Sequence, residues 1–338
     1  MKTLGKLGLG ALSGFALAAA GMGYETVATR RDDKRFPGMG TRIDVDGVKL
    51  HARVMGAEHR RGPTVVFESG LSTPLEAWDH IQAKTSRIAT TVSYDRAGLG
   101  WSGPGPLPRT AERVTGELAE LLSILDCPRP FVLAGHSYGG LLARCFAHRF
   151  PDQVAGLVLI DSSHPDQFRR SVAQRMGLPM MRSSIGQSAF WAPVGVTRLL
   201  TTRQTAEPFA RLSAEHQAAI LARTTAAHNR RGTRDEVTAW LDTVNAEARD
   251  TVVPPGCRLS VISAGKVAAS DPVHDELQRE LAGLADGSKH VLVADADHME
   301  LLTWPEHARV VAEVIGETVS QVRQQASGES TEIERSTK

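Results

Sequence analysis

The ten residues FVLAGHSYGG, at positions 131–140, decide the fold of this chain. The apolar run 131–134 leads into the pattern G-x-S-x-G at 135–139, and a helical pattern follows at 141–150. A serine on a sharp turn between a strand and a helix needs glycine two positions before and after it, because side chains there would collide with the neighbouring backbone. We therefore predict that Ser137 is a nucleophile, placed where the first amides of a helix stabilise negative charge.

Short apolar runs recur on both sides of this motif and alternate with helical patterns. They lie at 64–67, 91–94, 131–134, 156–160, 259–263 and 290–293. This alternation predicts an α/β fold with a doubly wound, mostly parallel sheet. Upstream of these runs, alternating residues at 41–45 and 48–54 flank Asp46-Gly47, a pair typical of tight turns, and predict a β-hairpin.

The alternation stops between residues 162 and 255, where helical patterns dominate. We expect this segment to be a helical cap, inserted into a core formed by 36–161 and 256–325. Within the cap, Thr233 and Glu236 have the spacing of a capping box and predict the start of a helix.

An apolar, sulfur-rich stretch lies early in the cap. Such a stretch packs the cap against the core or forms a substrate-facing lid, and both alternatives stay open. The candidate substrate contacts in it are Met180, Met181, Phe190 and Trp191.

Both ends of the chain differ from the core. An apolar run at 7–22 follows Lys2 and Lys6 and leads into the charged stretch 29–35, so residues 1–35 resemble a signal or membrane-anchor segment and a linker. The run is shorter than the ~20 residues that span a bilayer, and its alanines offer a cleavage site, so both alternatives stay open. We expect an exported or membrane-anchored protein. The polar tail at 326–338 predicts disorder.

The composition narrows the classes of partner. Lys and Arg total 39 against 38 for Asp and Glu, a balance that argues against nucleic acid and favours a small, roughly neutral substrate. Cys127, Cys145 and Cys257 are far apart and lack metal-ligand spacing, so we interpret them as small core residues. The sequence contains no HExxH pattern, and we expect neither a metal nor a cofactor.

Three motifs together resemble the α/β-hydrolase superfamily over about residues 40–320. They are GHSYGG at 135–140, DRAGLGWS at 95–102 and the late pair Asp297-His298. The segments TVVFESGLS, SYDRAGLGWSGPGP and LVLIDSSHPDQ, with the anchor-like start, further resemble a bacterial subgroup of these hydrolases. The resemblance implies that His298, just after the last strand, is the general base for Ser137. We interpret the other histidines as solvated or structural, including His136, His164, His274 and His307.

The resemblance also implies an acidic partner for this histidine. It should follow the strand at 259–263, and the loop at 264–273 contains only Asp271, which is our preferred acid. Asp161, at the end of the strand at 156–160, occupies a position that some relatives use instead, and Asp275 and Glu276 are the remaining alternatives. The acid should accept a hydrogen bond from the imidazole Nδ1–H.

For the oxyanion hole we expect the backbone N–H groups of Tyr138 and Leu71. Leu71 lies in the loop after the strand at 64–67, where this chain has Ser69-Gly70 in place of the His-Gly of most relatives. Glu68, just before them, is either a buried, hydrogen-bonded organiser of the loop or an extra acidic catalyst. Arg96 is expected to tie neighbouring loops together.

These expectations describe a serine hydrolase of the carboxylic-ester class, which cleaves a small, largely apolar ester-like substrate through an acyl-enzyme. The same fold also supports an amidase or peptidase, a carbon–carbon bond hydrolase or a cofactor-free peroxidase. A non-catalytic, ligand-binding relative is the remaining alternative. Relatives that use a carboxylate nucleophile are set aside, because position 137 is serine.

Overall fold

One mixed sheet lies at the centre of the computed structural model, which describes residues 2–59, 61–200 and 207–336. Within these residues the sheet has eight strands in the order β1-β2-β4-β3-β5-β6-β7-β8. The pairs β1·β2 and β2·β4 are antiparallel, and all later pairs are parallel. The strands are β1 (Thr41–Val45), β2 (Val48–Met55), β3 (Thr64–Glu68), β4 (Thr90–Asp95), β5 (Phe131–His136), β6 (Val154–Ile160), β7 (Arg258–Ala264) and β8 (Lys289–Val293).

The predicted α/β architecture is confirmed. Each predicted apolar run lies within an observed strand, and the predicted hairpin joins β1 to β2. Asp46 and Gly47 have φ angles of 48° and 81°, the left-handed conformation that a tight hairpin turn requires.

Helices cover both faces of the sheet. Consecutive residues of β3 face opposite sides, so on one face Phe67 belongs to the buried cluster that contains Trp78 and Val311. On the other face Val66 belongs to the cluster that contains Leu121. The helices outside the cap are α1 (Lys2–Arg35), α2 (Asp79–Thr85), α3 (Ala111–Ile124), α4 (Tyr138–Arg149), α11 (Gly265–Ser270), α12 (Pro272–Ala282), α13 (Glu300–Thr303) and α14 (Pro305–Ser336).

The segment between β6 and β7 is helical, as the cap prediction requires. Its helices are α5 (Gln167–Arg170), α6 (Val172–Trp191), α7 (Val196–Leu200), α8 (Ala214–Thr225), α9 (Ala227–Ala239) and α10 (Asn245–Arg249), with a π-helical turn at Trp240–Val244. The predicted helix start at Thr233 is wrong, because α9 begins six residues earlier. Thr233 is inside the helix, where its hydroxyl donates to the Asn229 carbonyl at 2.9 Å.

The second half of α1 packs against the cap, although we expected residues 1–35 to lie outside the globule. A Cβ built on Gly21 would lie 2.4 Å from the Val194 carbonyl oxygen. Glu25 is buried and accepts hydrogen bonds from Arg198 and from the Ala227 amide. The hydrogen bonds of Glu25 thus hold the second half of α1 against the cap. The apolar pattern of the sequence did not indicate this contact. The side chains of residues 1–14 lie outside the described part of the structure.

Within the described residues, no helix has the length and hydropathy needed to cross a membrane. At the other end of the chain, α14 continues to Ser336, where we predicted a disordered tail from residue 326. Positions 326–336 contain no proline to stop the helix. Residues 337 and 338 lie outside the described residues.

Candidate active site

Ser137 occupies the sharp turn between β5 and α4 that its motif predicts. Its backbone has φ 53° and ψ −125°, a conformation that costs a non-glycine residue about 1–3 kcal/mol. The flanking glycines are required by contact: a Cβ on Gly135 would lie 2.7 Å from the Gly139 carbonyl oxygen, and one on Gly139 would lie 2.2 Å from that of Glu68. The tight packing of helix, strand and loop therefore presents the serine at the carboxyl edge of the sheet.

Asp161 is at the same edge, directly after β6, the strand next to β5. It too has a positive φ, 40°. Its Oδ2 accepts a hydrogen bond from His298 Nδ1 at 2.6 Å, and its Oδ1 accepts one from the Ala264 amide at 3.0 Å. Burial alone would raise the pKa of Asp161, but hydrogen bonds from His274 and His298 outweigh burial and hold that pKa far below its usual range. The carboxyl group is therefore ionised.

Asp271, our preferred acid, is not the partner of His298. Helix α11 separates it from the end of β7 and carries it to the cap. Its Oδ2 accepts hydrogen bonds from Ser171 Oγ at 2.6 Å and Gln174 Nε2 at 3.3 Å. The alternative, Asp161, makes the contact that we assigned to Asp271. The remaining candidates pair with arginines: Asp275 with Arg279, and Glu276 with Arg170.

His298 faces the cavity that contains Ser137. Its side chain is 36 % exposed, whereas that of Asp161 is fully buried. The backbone around it is held by hydrogen bonds, from the His298 amide to Asp297 Oδ1 and from the Asp297 amide to Glu300. His298 and Ser137 line one cavity of about 350 Å³. The structure thus brings the predicted serine and histidine to one site.

His136 is buried beside His298, so of the two roles that we expected, solvated or structural, its burial excludes the first. Its ring centroid lies 4.4 Å from that of His298, and its Nε2 is 3.1 Å from the His298 carbonyl oxygen. Since a carbonyl only accepts, Nε2 carries the proton. Burial and the nearby His298 lower the pKa of His136 to about 3, so the ring is neutral above that pH.

His274 also lies in this site, and its contact with Asp161 is one that the sequence did not indicate. Its Nε2 lies 3.0 Å from Asp161 Oδ1, and its side chain lines the same cavity. The one sequence signal is its place in the helix after β7, near the sheet edge where the carboxyl ends of parallel strands meet. His164 is partly buried, and His307 is buried and stacked on Trp304.

The loop at residues 68–71 passes directly over Ser137. A Cβ on Gly70 would lie 3.3 Å from the Ser137 Cβ. Leu71 follows Gly70 and packs against a buried cluster that includes Tyr138 and Trp240. The two residues expected to supply the oxyanion amides thus each follow, along the chain, one of the two contacting positions Gly70 and Ser137.

Arg96 holds this loop, as predicted. Its guanidinium donates to the Ser69 carbonyl at 2.6 Å and to the Gly70 carbonyl at 3.0 Å. It also donates to Glu68 Oε1 at 2.7 Å, and the Tyr94 hydroxyl donates to Glu68 Oε2 at 2.5 Å. The interpretation of Glu68 as a buried loop organiser is confirmed, because both carboxylate oxygens are engaged away from the cavity.

The cap residues that line the cavity are not those we expected. Met180, Phe190 and Trp191 are 75 %, 71 % and 49 % exposed, and Met181 packs against the buried cluster that includes Trp240. The start of α6 approaches the serine instead, whereas the apolar side chains lie farther along the helix. The described residues of 162–255 that line the cavity are Ser162, Ser163, Gln167, Ala173, Gln174 and Trp240.

Comparisons with known proteins agree with this architecture. Over 125 residues the chain is 34 % identical to the uncharacterized protein YqjL of Bacillus subtilis, a match that covers 36 % of this chain and 47 % of that protein. The chain thus spans less than half the length of the curated relatives it matches.

Solved structures share the fold. The enol-lactonase of Burkholderia xenovorans LB400 superposes with a TM-score of 0.59 at 22 % identity, over 82 % of this chain and 99 % of the lactonase. The epoxide hydrolase of Bacillus megaterium superposes with a TM-score of 0.63 at 17 % identity, over 83 % of this chain and all of that enzyme. The model of the alpha/beta hydrolase family matches residues 65–314, about three quarters of the chain. With the sheet order and the turn at Ser137, this match establishes that the chain belongs to the alpha/beta hydrolase family.

Proposed function

We propose that this protein is a serine hydrolase that cleaves a small, largely apolar ester-like substrate through an acyl-enzyme intermediate. One observation supports the proposal. The strained Ser137 and His298 line one cavity, and His298 Nδ1 is hydrogen-bonded at 2.6 Å to the buried, ionised carboxylate of Asp161. Serine, imidazole and carboxylate in these roles form a nucleophile, a base and an orienting group.

The first half of the proposed reaction acylates the enzyme. The Ser137 hydroxyl attacks the ester carbonyl as His298 Nε2 takes its proton, and the Nδ1–H of the resulting imidazolium stays hydrogen-bonded to Asp161. The amides of Tyr138 and Leu71 donate to the oxyanion. The intermediate collapses, the bond to the leaving alcohol breaks, and the imidazolium returns its proton to the alkoxide. Water then attacks the acyl-serine with His298 again as base, which releases the acid and restores Ser137.

The size and lining of the cavity support a small substrate. About 350 Å³ is near the lower end of ligand pockets in proteins. Trp240, Val267 and Ala173 provide apolar surface, while Gln167 and Gln174 provide polar groups at the cap side. An acyl group of a few carbons fits this combination better than a long chain.

A fluorophosphonate probe tests the proposed chemistry, because it phosphonylates an activated serine. We expect labelling of the full chain at Ser137, identified by peptide mass spectrometry, and no labelling of Ser137→Ala. A panel of acyl p-nitrophenyl esters and aminoacyl amides then separates esterase from amidase activity. A folded protein whose Ser137 stays unlabelled would count against every serine-hydrolase assignment.

We also propose that the N-terminal segment directs the protein to export or attaches it to a membrane. The motivating features are the apolar run at 7–22 and the exposed Phe15 and Leu17 on α1. Fractionation of cells that express the full chain, compared with a chain lacking residues 1–20, tests this role. Recovery of both chains in the same soluble fraction would contradict it.

A further inference from the structure

We infer that His274 is a positioning residue for the proposed triad: it holds Asp161 on the side away from His298, and its proton adjusts how strongly Asp161 stabilises the imidazolium. This inference rests on the proposed function. It adds a residue that the Ser137–His298–Asp161 arrangement does not require.

The geometry places Asp161 between two imidazoles. His298 Nδ1 contacts Oδ2 at 2.6 Å, and His274 Nε2 contacts Oδ1 at 3.0 Å. Because an ionised carboxylate only accepts, both ring nitrogens carry protons. With the Ala264 amide as a third donor, the carboxylate is held from both ends at a strained backbone position. Loss of the His274 donor would leave Oδ1 with the Ala264 amide alone.

The surroundings of His274 favour its cationic form. Burial by itself would lower the pKa of His274, but the hydrogen bond and charge of Asp161 outweigh burial and raise that pKa above its ordinary value. Three acidic groups face His274. They are Asp161 at the end of β6, Asp271 at the start of α12, and Asp275, which follows His274 in that helix.

The nearby cations are paired with other acids. Arg170 of α5 pairs with Glu280, and Lys266 of α11 pairs with Glu300. Arg258 and Lys289 begin β7 and β8, at the opposite edge of the sheet, and His290 of β8 contacts Ser263. The group through which His274 acts is therefore Asp161, and beyond it His298.

A proton on His274 changes how strongly Asp161 stabilises the protonated form of the proposed general base, His298. A cation on one side of Asp161 offsets part of the carboxylate charge, so the imidazolium that His298 forms in the reaction is stabilised less by that carboxylate. Removing the cation has the opposite effect and moves the acidic limb of the pH–rate profile upward.

The test compares His274→Gln, which keeps a neutral N–H donor, with His274→Phe, which has none. Their kcat and kcat/KM for p-nitrophenyl acetate are measured from about pH 5 to about pH 9. His290→Gln, which alters a histidine bound to Ser263, is the matched control. In His274→Gln we expect the midpoint of the acidic limb to rise by about one pH unit, with kcat on the alkaline plateau within a few-fold of the unaltered protein.

In His274→Phe we expect an additional loss of about tenfold in kcat, because Asp161 loses a donor. A merely structural role would lower the melting temperature of both variants without moving the limb. An acidic limb and a kcat in His274→Gln that match those of His290→Gln would overturn the inference.

A second measurement tests the inference without enzyme turnover and without variants that could fail to fold. In NMR titrations of the unaltered full chain, the ring signals of His274 and His298 should each report two linked protonation steps. If the fluorophosphonate probe does not label Ser137 but the protonation steps of the two histidines are linked, the proposed function fails and the coupling between His274 and His298 stands. Two independent single-step titrations would refute the coupling whatever the activity.

Discussion

Arg96 and Glu236 form a buried, two-pronged ion pair that joins the 68–71 loop to the cap across 140 residues of sequence. The Arg96 Nε donates to Glu236 Oε1 at 2.5 Å, and Nη2 donates to Oε2 at 2.9 Å. Both side chains are 1 % exposed. The same guanidinium donates to the carbonyls of Ser69 and Gly70, so one side chain links the cap to the loop next to Ser137.

Glu236→Gln should destabilise the protein by about 3 kcal/mol, because it leaves the Arg96 cation buried with one fewer acid. Urea unfolding at neutral pH measures this change. Glu313→Gln removes an exposed partner of Arg309 on α14 and is expected to cost less than about 1 kcal/mol. Equal free energies of unfolding for the two variants would contradict the importance assigned to the buried pair.

Ser137→Ala and His298→Ala should each lower kcat by several orders of magnitude, up to about 10⁶-fold, because nucleophile and base act as one unit. The double variant should be hardly slower than either single variant for the same reason. Steady-state hydrolysis of a p-nitrophenyl ester measures these rates, with Ser320→Ala on the exposed face of α14 as the control. A loss of only two- or threefold in either variant would reject the assigned roles.

Asp161→Asn and Asp271→Asn should separate the two acids. We expect Asp161→Asn to lower kcat by about 10⁴-fold, because an amide at this position favours the wrong imidazole tautomer. Asp271→Asn should stay within about tenfold, since its carboxylate contacts Ser171 and Gln174. Rates measured on the same ester decide the matter, and the reverse order of losses would restore Asp271 as the acid.

The stability of the fold should fall below about pH 6.5 because of His136. In the folded protein burial lowers the pKa of this imidazole to about 3, whereas the unfolded chain binds the proton at its ordinary, higher pKa. Between the folded and the unfolded pKa of His136, the unfolded state therefore binds more protons than the folded state. The contribution of the neutral imidazole to the free energy of unfolding is complete above the unfolded pKa and is lost as pH falls toward the folded pKa. The expected loss from pH 6.5 to pH 4.5 is about 2–3 kcal/mol.

Urea unfolding of the unaltered protein and of His136→Gln at both pH values measures this contribution. Glutamine does not titrate, so the pH dependence of the variant should be shallower by the stated amount. Parallel pH dependences in the two proteins would show that His136 is not the group responsible.

Local sequence patterns predicted much of this molecule. The strand runs, the Asp46-Gly47 hairpin and the Ser137 turn follow from side-chain periodicity and from glycines whose absent Cβ atoms are required by close backbone contact. The place of His298 after β8 follows from the resemblance of the chain to a known superfamily. Such features depend on residues close in sequence, and local physical rules describe them well.

Contacts between distant segments could not be predicted in this way. The first 35 residues look like a separate leader, yet Glu25 is buried against Arg198 of the cap. Met180 and Phe190 are candidate substrate contacts by sequence, yet α6 presents Ala173 and Gln174 to the cavity instead. An apolar side chain is expected to be buried against other apolar groups, but its apolarity does not identify those groups.

The sequence by itself determined the class of fold and the sharp turn that presents Ser137. Only the tertiary structure decided which acid faces His298. The sheet places β6 directly beside β5, so Asp161 and Ser137 emerge at neighbouring strand ends, while α11 carries Asp271 away to the cap. The same packing turns His274 toward Asp161. Strand order and helix packing are set by the burial of the whole core, so no short stretch of sequence specifies them.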